Sequence, residues 1–317
     1  MIDAITLLAG LAVLVKSADL LVKGAVAVAA RWAVSPLVVG LTIVSFGTSM
    51  PELLVTMVSG LRDNSDLAIA SILGSNIANV LLILGVAAII RPLPVRDSTV
   101  ESEIPFSLAA ALLVGFLANA HLFSSYPELS LSRLDGGILL FFFFLFMLYT
   151  YRMSRDGKSA DSTPGIVMRG RTAATLIGAG VIGLYFGGQW TVDGAVDIAF
   201  RLGIDDAVVG LTVIAIGTSA PELVASAVAA YRNEPDIAVG NVVGSNIFNL
   251  LWILGLTSSV VELPFQVVSN ADIIIVIASS SLLILALVVS RRNTVMRHHG
   301  VLFLLLYAAY LLYVAIR

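Results

Sequence analysis

Two short segments of the chain carry a glutamate among residues that are otherwise small or apolar. The segments read Gly47-Thr48-Ser49-Met50-Pro51-Glu52 and Gly217-Thr218-Ser219-Ala220-Pro221-Glu222. If their surroundings cross a membrane, a carboxylate near the middle of the span costs at least about 2.5 kcal/mol to insert. Each glutamate therefore predicts a compensating partner close to it.

A second pair of polar segments follows the glutamates and supplies more oxygen atoms. These segments read Gly74-Ser75-Asn76-Ile77-Ala78-Asn79 and Gly244-Ser245-Asn246-Ile247-Phe248-Asn249. Residues four apart share a helix face, so Ser75 lies with Asn79, and Ser245 lies with Asn249. Carboxylates, amides and hydroxyls without sulfur or imidazole are typical of sites for hard cations such as calcium, which takes about 6–8 oxygen ligands.

The number of carboxylates in this predicted site also has a consequence for function. Two glutamates neutralise one calcium ion. Removing that ion would leave two buried negative charges, which are costly without a partner. Because several monovalent cations could take its place, the site favours obligatory exchange of ions.

Proline and glycine in these segments predict broken helices. Pro51 and Pro221 lack an N–H group, and their rings push against the carbonyl four residues earlier, which frees the carbonyls of Gly47 and Gly217. Gly74 and Gly244 are predicted to repeat the device in the spans that follow. The alternative is that the small residues and asparagines serve only helix packing. The presence of the whole pattern twice, each time with a glutamate, favours an ion site.

The composition of the chain defines the elements that must hold these residues. Of 317 residues, 58% are hydrophobic and 12% are charged, whereas an average soluble domain is about 45–50% apolar and about 25% charged. The balance excludes an ordinary soluble enzyme and predicts an all-α polytopic membrane protein, because backbone groups in lipid must be satisfied within each helix. Ten apolar segments are predicted as spans: 4–29, 37–60, 68–90, 104–120, 135–151, 172–199, 207–230, 237–261, 271–290 and 300–316.

Charge and cysteine content exclude further classes of protein. The net charge is −3 and no basic domain is present, so nucleic acid is not an expected partner. The chain has no cysteine, which excludes disulfides and thiolate metal sites. We expect no cofactor and no obligate protein partner; the expected partners are calcium and sodium ions and the lipid bilayer.

The second half of the chain repeats the first at a constant offset. Residues 36–85 and 206–255 align without a gap, and 24 of the 50 positions are identical. Each repeat holds five predicted spans, an odd number, so the second copy is inverted in the membrane, as in many secondary transporters. We therefore divide the chain into a first five-helix repeat (1–151), a linker loop (152–171) and a second, inverted repeat (172–317). Spans 2, 3, 7 and 8 carry the polar segments of the predicted midplane site.

The distribution of basic residues predicts the orientation of the chain. With ten spans, one side of the membrane collects twelve lysines and arginines and the other side four, while Lys16 and Lys23 lie within the first span. By the positive-inside rule, this places the linker 152–171 in the cytoplasm and both termini outside. We expect a multi-pass protein of the cell membrane, plasma or inner.

These motifs resemble those of the cation/calcium exchanger superfamily, and specifically its prokaryotic sodium/calcium exchanger branch. Members carry Gly-Thr-Ser-x-Pro-Glu followed by Gly-Ser-Asn-Ile-x-Asn or -Asp, and the resemblance covers essentially the whole chain. It implies that Glu52 and Glu222 bind calcium and also sodium. The other implied ligands are the carbonyl and hydroxyl of Thr48 and Thr218, the sodium ligands Ser75 and Ser245, the central pair Asn79 and Asn249, and the main-chain carbonyls of Ser45 and Ala215. It also implies that spans 1 and 6 slide across the core.

One position departs from many members of this family. Those members, including potassium-dependent ones, have Asp where this chain has Asn249. The site has one acidic group fewer, which argues against potassium co-transport. The proton/calcium branch usually has Gly-Asn-x-x-Glu at the first motif, so the motif in this chain favours sodium.

Charged residues in the long first and sixth spans suggest a further contact. Lys23 and Asp193 are repeat equivalents of opposite charge, and they are candidates for an ion pair that holds the moving pair of spans together. The alternative is local ion pairing of each residue near the membrane surface.

The favoured function is a secondary antiporter that expels calcium by using the sodium gradient, with no covalent chemistry. The first alternative is a proton/calcium exchanger on the same scaffold, in which the two glutamates exchange protons for calcium. An ion channel and an intramembrane enzyme are further alternatives. The enzyme lacks support because no His-Glu-x-x-His motif or paired aspartates are present.

Overall fold

The computed structural model describes residues 2–120, 129–156, 168–201, 219–290 and 293–316. The helices of the first half are α1 (Ile2–Trp32), α2 (Pro36–Val39), α3 (Ser45–Thr48), α4 (Met50–Leu61), α5 (Ser65–Ala78), α6 (Leu84–Ile90), α7 (Asp97–Glu101), α8 (Glu103–Ala118) and α9 (Arg133–Asp156). Those of the second half are α10 (Gly170–Arg201), α11 (Ala220–Tyr231), α12 (Pro235–Ile247), α13 (Leu254–Val260), α14 (Ser269–Val289) and α15 (Arg297–Ile316).

Most of these helices are long and apolar enough to cross a membrane. Within the described residues, seven stretches meet this description: Asp3–Trp32, Ser65–Ile90, Asp97–Ala118, Arg133–Ser154, Pro235–Val260, Ser269–Val289 and Arg297–Ile316. An eighth span consists of the bent pair Pro36–Thr48 and Met50–Leu61. Helix α10 is long enough at 32 residues, but glycine and polar residues dilute its apolar content. The chain is a multi-pass integral membrane protein.

The helical backbone widens into a turn of π-helix at Gly40–Val44, Asn79–Ile83 and Phe248–Ile253. The second of these turns joins α5 to α6, and the third joins α12 to α13, each without interruption. The prediction that spans 3 and 8 are broken is therefore wrong. Neither span contains an internal proline, so each residue keeps its N–H group, and the hydrogen-bond ladder shifts by one residue instead of ending.

The boundaries of the central elements recur at the offset found in the sequence. The pairs α4 and α11, α5 and α12, and α6 and α13 each begin at equivalent positions of the two repeats. The spans Ser65–Ile90 and Pro235–Val260 are the most enclosed, with 78% and 94% of their most apolar windows buried. The two halves therefore contribute equivalent helices to the centre of the molecule.

Helices α1 and α10 pack against each other in opposite directions. Gly24 of α1 faces Ile177 in the first part of α10, whereas Gly194 near the end of α10 faces Leu7. The glycines have no side chain at the contact, which lets the two backbones approach closely. At one end of the pair, Arg201 of α10 forms an ion pair of 2.8 Å with Asp3 of α1.

The candidate ion pair between Lys23 and Asp193 does not form, and the alternative, local ion pairing within one span, is confirmed for Lys23. Lys23 binds Asp19, one turn away on α1, at 2.8 Å, and Asp19 also pairs with Arg232 at the end of α11. Because α1 and α10 are antiparallel, the part of α10 beside Lys23 contains Ile177. Asp193 lies sixteen residues farther along that helix, about 24 Å away. Residues at similar distances from the starts of two antiparallel helices lie at opposite ends of the pair.

In the described part of the chain, four two-residue strands connect loops at the ends of the spans, an element absent from the all-α prediction. β1 (Leu93–Pro94) pairs antiparallel with β4 (Thr294–Val295), and β2 (Ser130–Leu131) pairs with β3 (Leu263–Pro264). The ion pair of Arg96 with Asp236, at 2.8 Å, adds a further link between the two halves. These short ladders satisfy backbone groups that leave the helices in extended conformation.

Candidate cation-binding site

The second span breaks immediately before Glu52, as predicted. Helix α3 ends at Thr48, α4 begins at Met50, and the two segments meet at an angle of 48°. Pro51 has no N–H group to donate to the carbonyl of Gly47, so the helix cannot continue regularly. Glu52 is held in the first turn of α4 and is 1% exposed. Unpaired N–H groups and the helix dipole favour a negative charge at this position.

The second repeat reaches the same local arrangement from Ser219 onward. The backbone angles of Ser219, φ −89° and ψ 7°, nearly equal those of Ser49, −84° and 9°. Pro221 is the second residue of α11, and Glu222 follows in the first turn with 1% exposure. The remaining predicted residues of this segment, Ala215, Gly217 and Thr218, lie outside the described residues.

Serine hydroxyls connect the two carboxylates into one cluster. Ser49 donates to Glu222 Oε1 at 3.2 Å, so the first repeat reaches the glutamate of the second. Ser75 donates to Glu52 Oε1 at 3.5 Å, and the hydroxyls of Ser219 and Ser75 lie 3.4 Å apart. Residues of both halves therefore alternate around a single site.

Several buried oxygen atoms of the predicted site residues have no hydrogen-bond partner among the described residues. They are Glu52 Oε2, Glu222 Oε2, Asn79 Oδ1, Asn249 Oδ1 and Ser245 Oγ. Burying polar atoms without a partner is costly, which points to a ligand that these atoms bind. All of them are acceptors or can act as one, and a cation satisfies such atoms directly.

The charge of the cluster comes from the two glutamates. Within the described part of the chain, no group of three or more histidine, aspartate or glutamate side chains is arranged to hold a metal ion. The other side chains of the cluster are neutral. Asn79, a predicted site residue, donates its Nδ2 to Asn246 Oδ1 at 2.9 Å, which fixes its amide and leaves its Oδ1 without a donor in the described part of the chain.

Thr48 and Ser45 line the site from α3. Both are fully buried, and Thr48 Oγ1 lies 3.3 Å from the main-chain oxygen of Ser45 and 3.1 Å from Asn241 Oδ1. The Ser45 hydroxyl lies within hydrogen-bond distance of two main-chain oxygens, those of Gly40, at 2.7 Å, and Asn241, at 3.0 Å.

Two of the predicted helix-breaking glycines, Gly47 and Gly244, allow close packing of neighbouring helices. A Cβ on Gly47 would collide with Val181 of α10, and one on Gly244 would collide with Leu41 and Ser45. A Cβ on Gly74 would meet no described atom within 4 Å. Gly74 and Gly244 lie inside regular α-helix, ahead of the π-helical turns, so their predicted helix-breaking role is wrong.

The comparison with protein families decides what kind of protein carries this site. A family model described as sodium/calcium exchanger protein matches residues 2–152 and 172–316. The chain belongs to the sodium/calcium exchanger family.

Relatives of this exchanger cover most of its length. Inner membrane protein YrbG of Escherichia coli is 36% identical over 263 residues, 80% of this chain and 78% of that protein. Sodium/calcium exchanger MaX1 of Methanosarcina acetivorans is 31% identical over 299 residues, 81% of this chain and 82% of MaX1. The solved structure of the sodium-calcium exchanger NCX_Mj superposes with a TM-score of 0.81 and 31% identity, covering 98% of this chain and 97% of NCX_Mj.

Sequence reasoning missed one residue that this exchanger places against the cluster. Asn241 of α12 is fully buried and contacts Thr48, Ser226 and the main chain of Glu222. Its spacing carried a signal, because Asn241, Ser245 and Asn249 are four residues apart and share one helix face.

Proposed function

We propose that the chain is a secondary active antiporter that exchanges sodium for calcium by alternating access, with calcium extrusion driven by the sodium gradient. The observation that carries the proposal is the pair of buried carboxylates, Glu52 and Glu222. Each has one Oε2 atom without a hydrogen-bond partner among the described residues, and only neutral oxygen groups complete their cluster. Two carboxylates balance one calcium ion and leave the loaded site neutral.

The proposed ligands follow the orphaned atoms and the family motifs. Glu52 and Glu222 bind calcium together with the hydroxyls and carbonyls of Thr48 and Thr218. Ser75 and Ser245 complete flanking sodium sites, Asn79 and Asn249 form the polar pair between them, and the main-chain carbonyls of Ser45 and Ala215 add further oxygens. Sodium suits the same atoms because its ligands resemble those of calcium.

The requirement for exchange follows from the charge of the empty site. Without an ion, two charged carboxylates would stay unpaired in a low-dielectric surrounding while access to the site switches from one side of the membrane to the other, which costs much free energy. A site that must be loaded before it can switch sides couples the two ion flows. The relative MaX1, which is named a sodium/calcium exchanger, supports sodium as the second ion.

The proposed architecture has ten spans in two inverted five-helix repeats, with α1 and α10 as the pair that slides across the core. The antiparallel packing of α1 and α10 and the recurrence of elements at equivalent positions of the two repeats support it. In the proposed topology, the linker 152–171 is cytoplasmic, both termini are outside, and the cell membrane is the location. The chain acts without an obligate protein partner.

The test is radiocalcium uptake into proteoliposomes that are loaded with sodium and diluted into sodium-free buffer. We expect uptake that needs internal sodium and is lost in the Glu52→Gln, Glu222→Gln double variant. An imposed proton gradient without sodium provides the control.

Each result has a distinct meaning for the proposal. Uptake that follows the proton gradient and ignores sodium would overturn sodium coupling and support the proton/calcium alternative. Uptake that runs down the calcium gradient with no counter-ion would indicate a channel. Sodium-dependent uptake that persists in the double variant would remove the assignment of the site.

A further inference from the structure

Asn241 connects both repeats at the edge of the cation site. Its Nδ2 donates to Ser226 Oγ at 2.9 Å and to the main-chain oxygen of Glu222 at 3.5 Å. Its Oδ1 accepts from Thr48 Oγ1 at 3.1 Å. Because the Glu222 carbonyl can only accept, the amide NH2 group must face α11, and Oδ1 must face Thr48.

The Thr48 hydroxyl has one hydrogen and three acceptors near it: Asn241 Oδ1, the Glu222 carboxylate and the main-chain oxygen of Ser45, at 3.3 Å. The Ser45 oxygen already accepts the N–H group of Ser49 at 3.0 Å. A carbonyl oxygen has two lone pairs, so Ser45 has none left when Thr48 also donates to it. Ser45 can bind a cation through this oxygen only if the hydrogen of Thr48 goes elsewhere.

We propose that Asn241 is a positioning residue that accepts the hydroxyl hydrogen of Thr48 when a cation binds. With the hydrogen directed to Asn241, the Ser45 carbonyl regains a lone pair, and both lone pairs of Thr48 Oγ1 are available to the ion. Asn241 itself does not touch the ion. The inference rests on the proposed function, which supplies the ligand roles of Thr48 and Ser45.

The first repeat lacks this amide. Ser71 occupies the position equivalent to Asn241, and its hydroxyl carries one hydrogen on the same oxygen that accepts, whereas an amide has two hydrogens on nitrogen and a separate acceptor oxygen. Thr56 is equivalent to Ser226, and its buried Oγ1 has no hydrogen-bond partner among the described residues. The amide beside Thr48 therefore has no equivalent in the first repeat, and Thr218, the equivalent of Thr48, lies outside the described residues.

The test measures calcium and sodium affinity of the purified protein by isothermal titration calorimetry. Asn241→Leu keeps a similar side-chain volume and removes the acceptor. We expect the dissociation constant for calcium to rise about tenfold, the effect of losing one well-formed hydrogen bond. Ser71→Ala, the matched control in the first repeat, should stay within about twofold of the unsubstituted protein.

A double-mutant cycle with Thr48→Val separates positioning from packing. Valine has no hydroxyl hydrogen to place, so adding Asn241→Leu should then weaken calcium binding less than about twofold. The calcium-dependent rise in melting temperature extends the comparison to variants that bind weakly. A tenfold loss in both backgrounds, or an unchanged affinity of Asn241→Leu alone, overturns the proposal.

Calorimetry also separates this inference from the proposed function, because binding needs no counter-ion and no transport. Calcium binding that depends on the pair of Thr48 and Asn241, in a protein that does not exchange sodium, keeps the positioning role and refutes sodium exchange. Sodium/calcium exchange together with independent effects of the two substitutions refutes the positioning role alone.

Discussion

Compared position by position, the two repeats keep Glu52 and Glu222, the proline directly before each and the serines next to them, but they differ in the side chains behind these residues. Glu52 and Glu222 each lie in the first turn of equivalent helices, α4 and α11, and are equally buried. Asn241, in contrast, faces the site where the first repeat has Ser71. The residues proposed to bind the ion are thus duplicated, while the residue proposed to orient them is not.

Aromatic packing shows the same division. Phe248 in the second repeat contacts Phe46, with ring centres 6.0 Å apart, and Phe143, with ring centres 4.9 Å apart. The equivalent residue of the first repeat is Ala78, which has no ring to offer. The aromatic packing of the two repeats therefore differs, although the two glutamates are equally buried.

The largest expected effect tests the equality of the two carboxylates. Glu52→Gln and Glu222→Gln each remove one of two charges while keeping the shape of the side chain. We expect each single variant to lose calcium uptake at least about a hundredfold, because one carboxylate leaves a divalent ion with an uncompensated buried charge. Radiocalcium uptake into proteoliposomes measures the effect. If either single variant keeps half of the uptake, the two carboxylates are not equally required for calcium transport.

Much of the fold followed from the sequence because lipid imposes simple rules on composition. Nine of the ten predicted apolar segments coincide with described helices, and the remaining one, 207–230, lies partly outside the described residues. The break before Glu52 followed from Pro51, whose missing N–H group is a local property. The π-helical turns have no such local sign. They shift hydrogen bonds between residues of ordinary type, so spans 3 and 8 were expected to be broken and are continuous.

The contacts between the two repeats could not be predicted from the sequence. The motif predicted Glu52 and Glu222 as site residues. The candidate ion pair of Lys23 and Asp193 does not form, because equivalence in the two repeats does not tell which ends of two helices lie together. Asn241 was visible as a polar residue on the right face of its helix. Its partner Thr48 lies 193 positions away in the chain, and only the packed structure joins them.

The next effect contrasts two equivalent glycines. Gly244→Ala would push a methyl group into the main chain of Leu41, and such overpacking costs about 1–3 kcal/mol. Gly74→Ala meets no described atom within 4 Å, so alanine should stabilise the helix by about 0.5–1 kcal/mol. Thermal unfolding in detergent compares the two variants. A lower melting temperature for Gly74→Ala than for Gly244→Ala would contradict this difference in packing.

The smallest expected difference lies at the ion pair of Asp19 with Arg232, which joins α1 to α11. The equivalent residues are Gln189 and Arg62, so the other repeat cannot form it. The side chains of Arg232 and Asp19 are 36% and 18% exposed, and partly exposed pairs contribute about 0–1 kcal/mol. Asp19→Asn should therefore lower the melting temperature by no more than a few degrees at low salt, and the difference should shrink at high salt because ions screen the pair.

Gln189→Asn, the matched control, should cause no salt-dependent change. A large loss that salt does not alter would mean that Asp19 stabilises α1 by a contact other than its ion pairs.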